Sequence, residues 1–136
     1  MTTPTEPPSN IDDPLGDLPT RMGIEFLELD ARRMVARMPV AGNTQPLGLL
    51  HGGASCVLAE SLGSVGALLH AGPGRAAVGI EINATHHRAA TEGYVTGVAT
   101  PLHLGRTLAT YEIVITDDQE RRVCTARLTA LLRDAD

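Results

Sequence analysis

The sequence contains no lysine and no tryptophan. All 11 of its basic residues are arginine, set against 16 acids, for a net charge of −5. An acidic chain with no basic run lacks the electrostatic footprint of a nucleic-acid binder. Aromatic residues are almost as scarce: Phe26, Tyr94 and Tyr111 are the whole set. That argues against a module that stacks bases on aromatic rings. Hydrophobic residues nevertheless make up 43% of the chain, so the core must be aliphatic. Cys56 and Cys124 are far apart in the sequence and form no CxxC motif. They supply neither a disulfide framework nor a zinc site, which fits a reducing cytoplasm.

A targeting segment is not evident either. The opening MTTPTEPPSNIDDPLGDLP has no basic start and no apolar run. It holds five of the nine prolines, together with Glu6, Asp12, Asp13 and Asp17. Residues 1–18 are therefore expected to form a flexible tail before a single domain over 19–136. A membrane span is not expected. The nearest candidate, Leu47 to Gly72, carries Glu60 near its middle. A charge at the bilayer centre costs roughly 2.5–3.5 kcal/mol on insertion scales.

What is present is a regular alternation of patterns. MGIEFLELD and RRMVARMPV alternate loosely and read as a strand hairpin. AGNTQP is a turn-rich loop before a helix-like run that stops near Gly72, Pro73 and Gly74. Four strand candidates follow: AAVGIEINATHHR, GYVTGVATPLHL, RTLATYEIVIT and RRVCTARLTALL. TEG and TDDQE stand where hairpin turns are expected. One long helix and about six mostly antiparallel strands make an α+β domain whose sheet wraps the helix.

The helix sequence HGGASCVLAESLGS poses a question, because one acid lies among small and apolar residues. At about 100° per residue, Leu58, Leu62, Val65 and Leu69 fall opposite Glu60 as a core stripe. Gly53, Cys56, Val57, Gly63, Ser64 and Ala67 fall on its own side. A face of small residues implies close approach of another helix or a ligand. Spacing alone leaves two readings open: a subunit contact with Glu60 on its rim, or an active carboxylate beside that contact. Gln45, His51, Gly52 and Gly53 gather at the helix start, where backbone N–H groups are free and the helix dipole is positive. Such an end can hold a developing oxyanion. The plainer reading of His51 is a turn histidine bonded to backbone. Glu60 lies two turns on. It reaches the same carbonyl only from a neighbouring subunit, or if the substrate lies along the helix.

QPLGLLHGGASCVLAESLGS, VGIEINATHHRAATEG and PLHLGR together resemble the hotdog-fold acyl-CoA thioesterases. The branch most similar includes the 1,4-dihydroxy-2-naphthoyl-CoA and 4-hydroxybenzoyl-CoA thioesterases. The resemblance runs from about residue 20 to the C-terminus. It implies a six-stranded antiparallel sheet around one central helix, in homodimers that pair into homotetramers with the active site between subunits. It implies Glu60 as nucleophile or general base and the Gly52 N–H as the donor that polarises the thioester carbonyl. By the same resemblance, Gln45 and His51 match side chains that position the thioester, Ser64 matches a hydroxyl that holds the attacking water or the carboxylate, and Ser61 matches a position that lines the acyl pocket or packs beside it. His86 and Arg88 match residues near the CoA nucleotide, and Leu104, Gly105 and Arg106 match residues beside its phosphates. His87 departs from the pattern, which has an apolar residue there. For both arginines, solvated surface charge is the plainer reading.

The implied reaction is hydrolysis of an aryl-CoA thioester, with no metal or cofactor required, and menaquinone biosynthesis as a setting. Phenylacetyl and medium-chain acyl groups are alternatives. Two rivals come from the same fold. A non-catalytic acyl-CoA-binding protein would have no use for Glu60. A hydratase would want an Asp/His pair, yet no Asp lies between Asp30 and Asp117.

Overall fold

A computed structural model describes residues 15–136. The first helix, α1 (Asp17–Arg21), is short, with Asp17 in its first turn and Arg21 in its last, as the helix dipole favours. The expected tail boundary at 18 falls inside α1, whose Pro19 is buried. Residues 1–14 of that tail lie outside the described residues.

Strands β1 (Glu25–Asp30) and β2 (Arg33–Pro39) form the first hairpin. The Asp30 side chain closes its turn by accepting from the Arg32 N–H at 2.8 Å. The long helix α2 (Gly52–Ala71) follows, and Gly72 ends it at φ 83°, in the left-handed region that glycine enters without strain. Then come β3 (Arg75–His86), β4 (Tyr94–Leu104), β5 (Leu108–Thr116) and β6 (Arg122–Asp134).

All six strands join one antiparallel sheet in the order β1-β2-β4-β5-β6-β3. This corrects one turn. TDDQE does close the β5–β6 hairpin, but TEG does not close a hairpin between β3 and β4. β4 pairs with β2 and β5, while β3 crosses to the far edge and pairs with β6. Local turn residues look the same in a crossover as in a hairpin; only the sheet order separates them. The remaining hairpin is β4–β5, where the Gly105 N–H donates to the Leu108 carbonyl at 2.8 Å.

The sheet curls around α2, burying Leu58, Leu62 and Val65 as expected. It also buries Gly63 and Ala67, which the helical wheel put on the open face with Glu60. A curved sheet covers more than one stripe of a helix, and the missing side chains let it come close. A Cβ at Gly63 would stand 2.8 Å from Leu128, and one at Gly97 would stand 2.6 Å from Leu62. The core is aliphatic apart from Tyr111, which is fully buried and donates its hydroxyl to the Ala31 carbonyl at 2.5 Å. Among the described residues α2 is the one helix long and apolar enough to cross a bilayer, but 56% of its apolar window is buried inside the domain.

Candidate active site

The start of α2 is held by a loop tied down on both sides. The Asn43 amide donates to the carbonyls of Met22 and Pro39, each at 2.8 Å. The Leu50 N–H donates to Ala90 at 2.8 Å. Gln45 folds back on its own loop, its Oε1 accepting from the N–H groups of Leu47 and Leu49. That bonding leaves its Nε2 group as the remaining donor.

His51 is the N-cap of α2. Its Nδ1 accepts from the Gly53 N–H at 2.8 Å, so the bland expectation of a backbone-bonded histidine describes this nitrogen. A nitrogen that accepts carries no proton; a neutral His51 therefore has its proton on Nε2, which stays available as a donor. The Ala54 N–H is taken by the His51 carbonyl at 2.9 Å. The Gly52 N–H has no acceptor among the described residues. A Cβ at Gly52 would lie 2.9 Å from His86 Nε2, so the absent side chain is what admits the imidazole to the helix start.

Gln45, Gly52, His86 and Arg88 line one open cavity of about 380 Å³, walled by Leu49, Leu50 and Val123. Sequence reasoning missed those three walls and also Ser55, a buried polar residue that lines the same cavity. His87 borders the cavity as well, with Nε2 2.9 Å from the Thr125 hydroxyl.

Glu60 does not line this cavity. Eight residues beyond Gly52, it lies about 12 Å further along the helix. It is half-buried and makes no ion pair or hydrogen bond among the described residues. Its Oε2 rests against Gly79 of β3, where any side chain would displace it. Gly79 was not singled out from the sequence, although a glycine inside a strand is a known mark of close approach. Ser61 and Ser64 are half-buried on α2 next to and one turn beyond Glu60, with no hydrogen bond to it among the described residues. Burial pushes the Cys56 thiol above its ordinary pKa, and the Glu60 charge one turn away adds to the shift. Cys124 is pushed up to about 11 by burial and by Cys56, so the two cysteines distant in sequence are neighbours in space.

The second group of expected CoA contacts is elsewhere. The Gly105 carbonyl accepts from His70 Nε2 at 2.7 Å, in the last turn of α2. Leu104 packs against the core, and the Arg106 carbonyl accepts from Arg75 at 3.0 Å. A 20-residue helix is about 30 Å long. Within one chain, then, Leu104, Gly105 and Arg106 lie at the opposite end from His86 and Arg88.

The thioesterase superfamily profile matches residues 47–124, which span the helix start, Glu60 and all of β3 to β5. The chain is 52% identical over 116 residues to the proofreading thioesterase EntH of Cronobacter turicensis, covering 85% of each protein. A thioesterase structure from Haemophilus influenzae superposes with a TM-score of 0.82 at 38% identity, covering 85% of this chain and 82% of that one. A mutant thioesterase from Pseudomonas aeruginosa gives 0.80 at 41% identity, covering 87% and 86%. These neighbours share the hotdog arrangement of one central helix in a wrapped antiparallel sheet.

Proposed function

The chain belongs to the thioesterase superfamily and is a thioester hydrolase; from that premise we propose that Glu60 of one protomer acts on a thioester carbonyl bound at Gly52 of its partner. The observation that carries this reading is a pair of unpartnered groups, the Gly52 N–H and the Glu60 carboxylate, too far apart on one helix to serve one carbonyl. A second copy resolves the distance. β3 is the last strand of the sheet, and its outer edge has no partner strand among the described residues. Gly79 of β3 touches Glu60, and His86 of β3 touches Gly52. If two copies of β3 pair antiparallel about a centre between those residues, Gly79 of one faces His86 of the partner subunit. Glu60 then meets the partner's helix start. The Gly52 N–H and helix dipole stabilise the oxyanion, a donor worth about 10²–10³ in turnover. Either Glu60 attacks the carbonyl carbon, the C–S bond breaks to release the CoA or carrier thiolate, and water hydrolyses the resulting acyl anhydride; or Glu60 takes a proton from a water that adds to the carbonyl carbon, and collapse of the adduct expels the thiolate. His51 Nε2–H and the Gln45 amide are donors that orient the thioester, with Ser64 beside the carboxylate.

The assembly extends to a homotetramer in this reading. Val78, Leu131 and Leu108 stand in register across β3, β6 and β5, each about two-fifths exposed on the sheet face away from α2. That row supports a sheet-to-sheet contact between dimers.

For substrate, the likeness to a proofreading thioesterase supports clearance of several unwanted acyl thioesters rather than one. The aliphatic walls Leu49, Leu50 and Val123 fit this, since apolar pockets discriminate by only about 1–3 kcal/mol per methylene. The second reading is a dedicated aryl-CoA hydrolase, such as one for 1,4-dihydroxy-2-naphthoyl-CoA in menaquinone biosynthesis, which the motif wording favours. A panel of aryl and aliphatic thioesters ranked by kcat/KM separates them. Proofreading gives values within about two orders of magnitude; a dedicated site rejects analogues lacking a recognised hydroxyl by about 10⁴-fold. In the same assay Glu60→Gln should lose at least about 10²-fold, the usual cost of removing a catalytic base. Retention of more than about a tenth of turnover sinks the role of Glu60.

A further inference from the structure

Apart from the Tyr111 phenol, Ser55 is the one residue bearing a hydroxyl, amide or charge that is buried among the described residues, at 1% exposure. It lies on α2 one turn beyond Gly52, about 4.5 Å further along the axis, so the two are neighbours on the helix surface. Both line the cavity at the helix start. The rim residues His86 and Arg88 of that cavity are exposed, whereas Ser55, Ala90 and Val123 are buried and form its floor. One hydroxyl thus stands on a floor that is otherwise aliphatic.

That hydroxyl has no partner. A helical serine ordinarily donates to the carbonyl four residues back. Here that carbonyl belongs to His51 and already accepts from the Ala54 and Ser55 N–H groups, at 2.9 and 3.4 Å. A carbonyl oxygen has two lone pairs, so both are taken. No other hydrogen bond reaches the Ser55 hydroxyl among the described residues. The Tyr111 hydroxyl, by contrast, is bonded to the Ala31 carbonyl. A buried polar group left unpaired counts against folding, and an alanine would avoid that cost. A hydroxyl kept unpaired on a cavity floor is available to whatever fills the cavity.

We propose that Ser55 is a specificity-determining residue, whose hydroxyl bonds a hydroxyl carried on the acyl group. The inference rests on the reading above, in which the thioester carbonyl binds at the Gly52 N–H. With the carbonyl there, Ser55 meets the acyl group one helical turn from the reacting carbon. The aliphatic walls accept hydrocarbon of several shapes, and Ser55 sorts among them by one polar atom. A hydroxylated acyl group gives Ser55 the bond that the fold withholds. A wholly apolar one seals the hydroxyl from water and replaces nothing, so it binds less well in the transition state.

The test uses two pairs of CoA thioesters that differ in one hydroxyl: 3-hydroxybenzoyl against benzoyl, and 3-hydroxybutanoyl against butanoyl. Values of kcat/KM are measured for the full chain and for Ser55→Ala. The parent should favour the hydroxylated member of at least one pair by about tenfold, and the pair that shows it tells a ring hydroxyl from a chain hydroxyl. Ser55→Ala should bring that ratio to within about twofold of unity and melt no lower than the parent, having no bond to lose. A parent without preference in either pair overturns the proposal. So does a Ser55→Ala variant that keeps the parental ratio, even if it melts lower, because the role is then structural. Equal slowing of both members of a pair also overturns it, since the hydroxyl then serves a part common to both. Glu60→Gln tests the underlying reading separately: it slows both members alike, and if it keeps full activity that reading fails whatever the ratio does. Ser55→Cys, close in volume, repeats the comparison if Ser55→Ala does not fold.

Discussion

Gly79 has no side chain, and the Glu60 carboxylate lies in the space that leaves. In the proposed mechanism the residue is thus as much a part of the site as the acid. Gly79→Ala should push the carboxylate aside while leaving the strand paired. Because a misplacement of about 1 Å can cost about 10²-fold in rate, kcat should fall by that order with KM little changed. Steady-state kinetics on one thioester decide it, and a kcat within threefold or so of the parent would show that Glu60 tolerates the shift. Glu60 itself was legible in the sequence, because an acid on a face of small residues needs a reason. Gly79 was not, because nothing in β3 says what its missing side chain makes room for.

At the scale of elements, the β5–β6 turn shows how one carboxylate sets a hairpin. Asp117 accepts from the N–H groups of Gln119 and Arg121, each at 2.9 Å, and from Arg121 Nε at 2.8 Å. The Arg121 backbone bond leads in holding the Asp117 carboxyl below its ordinary pKa, and burial opposes it. A depressed folded-state pKa stabilises above the unfolded value of about 3.9 and is lost as pH falls through the folded value. Asp117→Asn should therefore melt lower than the parent at pH 7, with the gap closing as pH drops below 3.9 toward and through the folded value. Melting curves across that range check the sign, and a gap that widens in acid contradicts it. TDDQE was readable as a turn because its bonds are local. TEG resembled one for the same compositional reasons, yet β3 leaves it for the opposite edge of the sheet.

For the whole molecule, the edge of β3 is the decisive feature. It is 12 residues long, has no partner strand on one side among the described residues, and carries Val78 and Ile80 exposed, the latter at 56%. Such an edge invites pairing with another chain. If subunits pair along β3 as proposed, Ile80→Glu should break that pairing, giving a smaller particle by light scattering and losing activity together with assembly. A variant that stays assembled and active would place the subunit contact elsewhere. The two groups of expected CoA contacts lie at opposite ends of α2 in one chain, and the proposed pairing of subunits is what would let them serve one ligand.

The sequence by itself determined the strand and helix periods, the aliphatic core, the helix stop at Gly72 and the candidate carboxylate, because these follow from spacing of a few residues. Tertiary structure decided which strands are neighbours, which glycines serve as clearances, and that the Glu60 carboxylate rests against Gly79 of β3. Those are properties of segments brought together from far apart. A helical wheel treats a helix as if one side faces the protein; the curled sheet buries more, taking in Gly63 and Ala67 and leaving Glu60 half-covered beside an open edge.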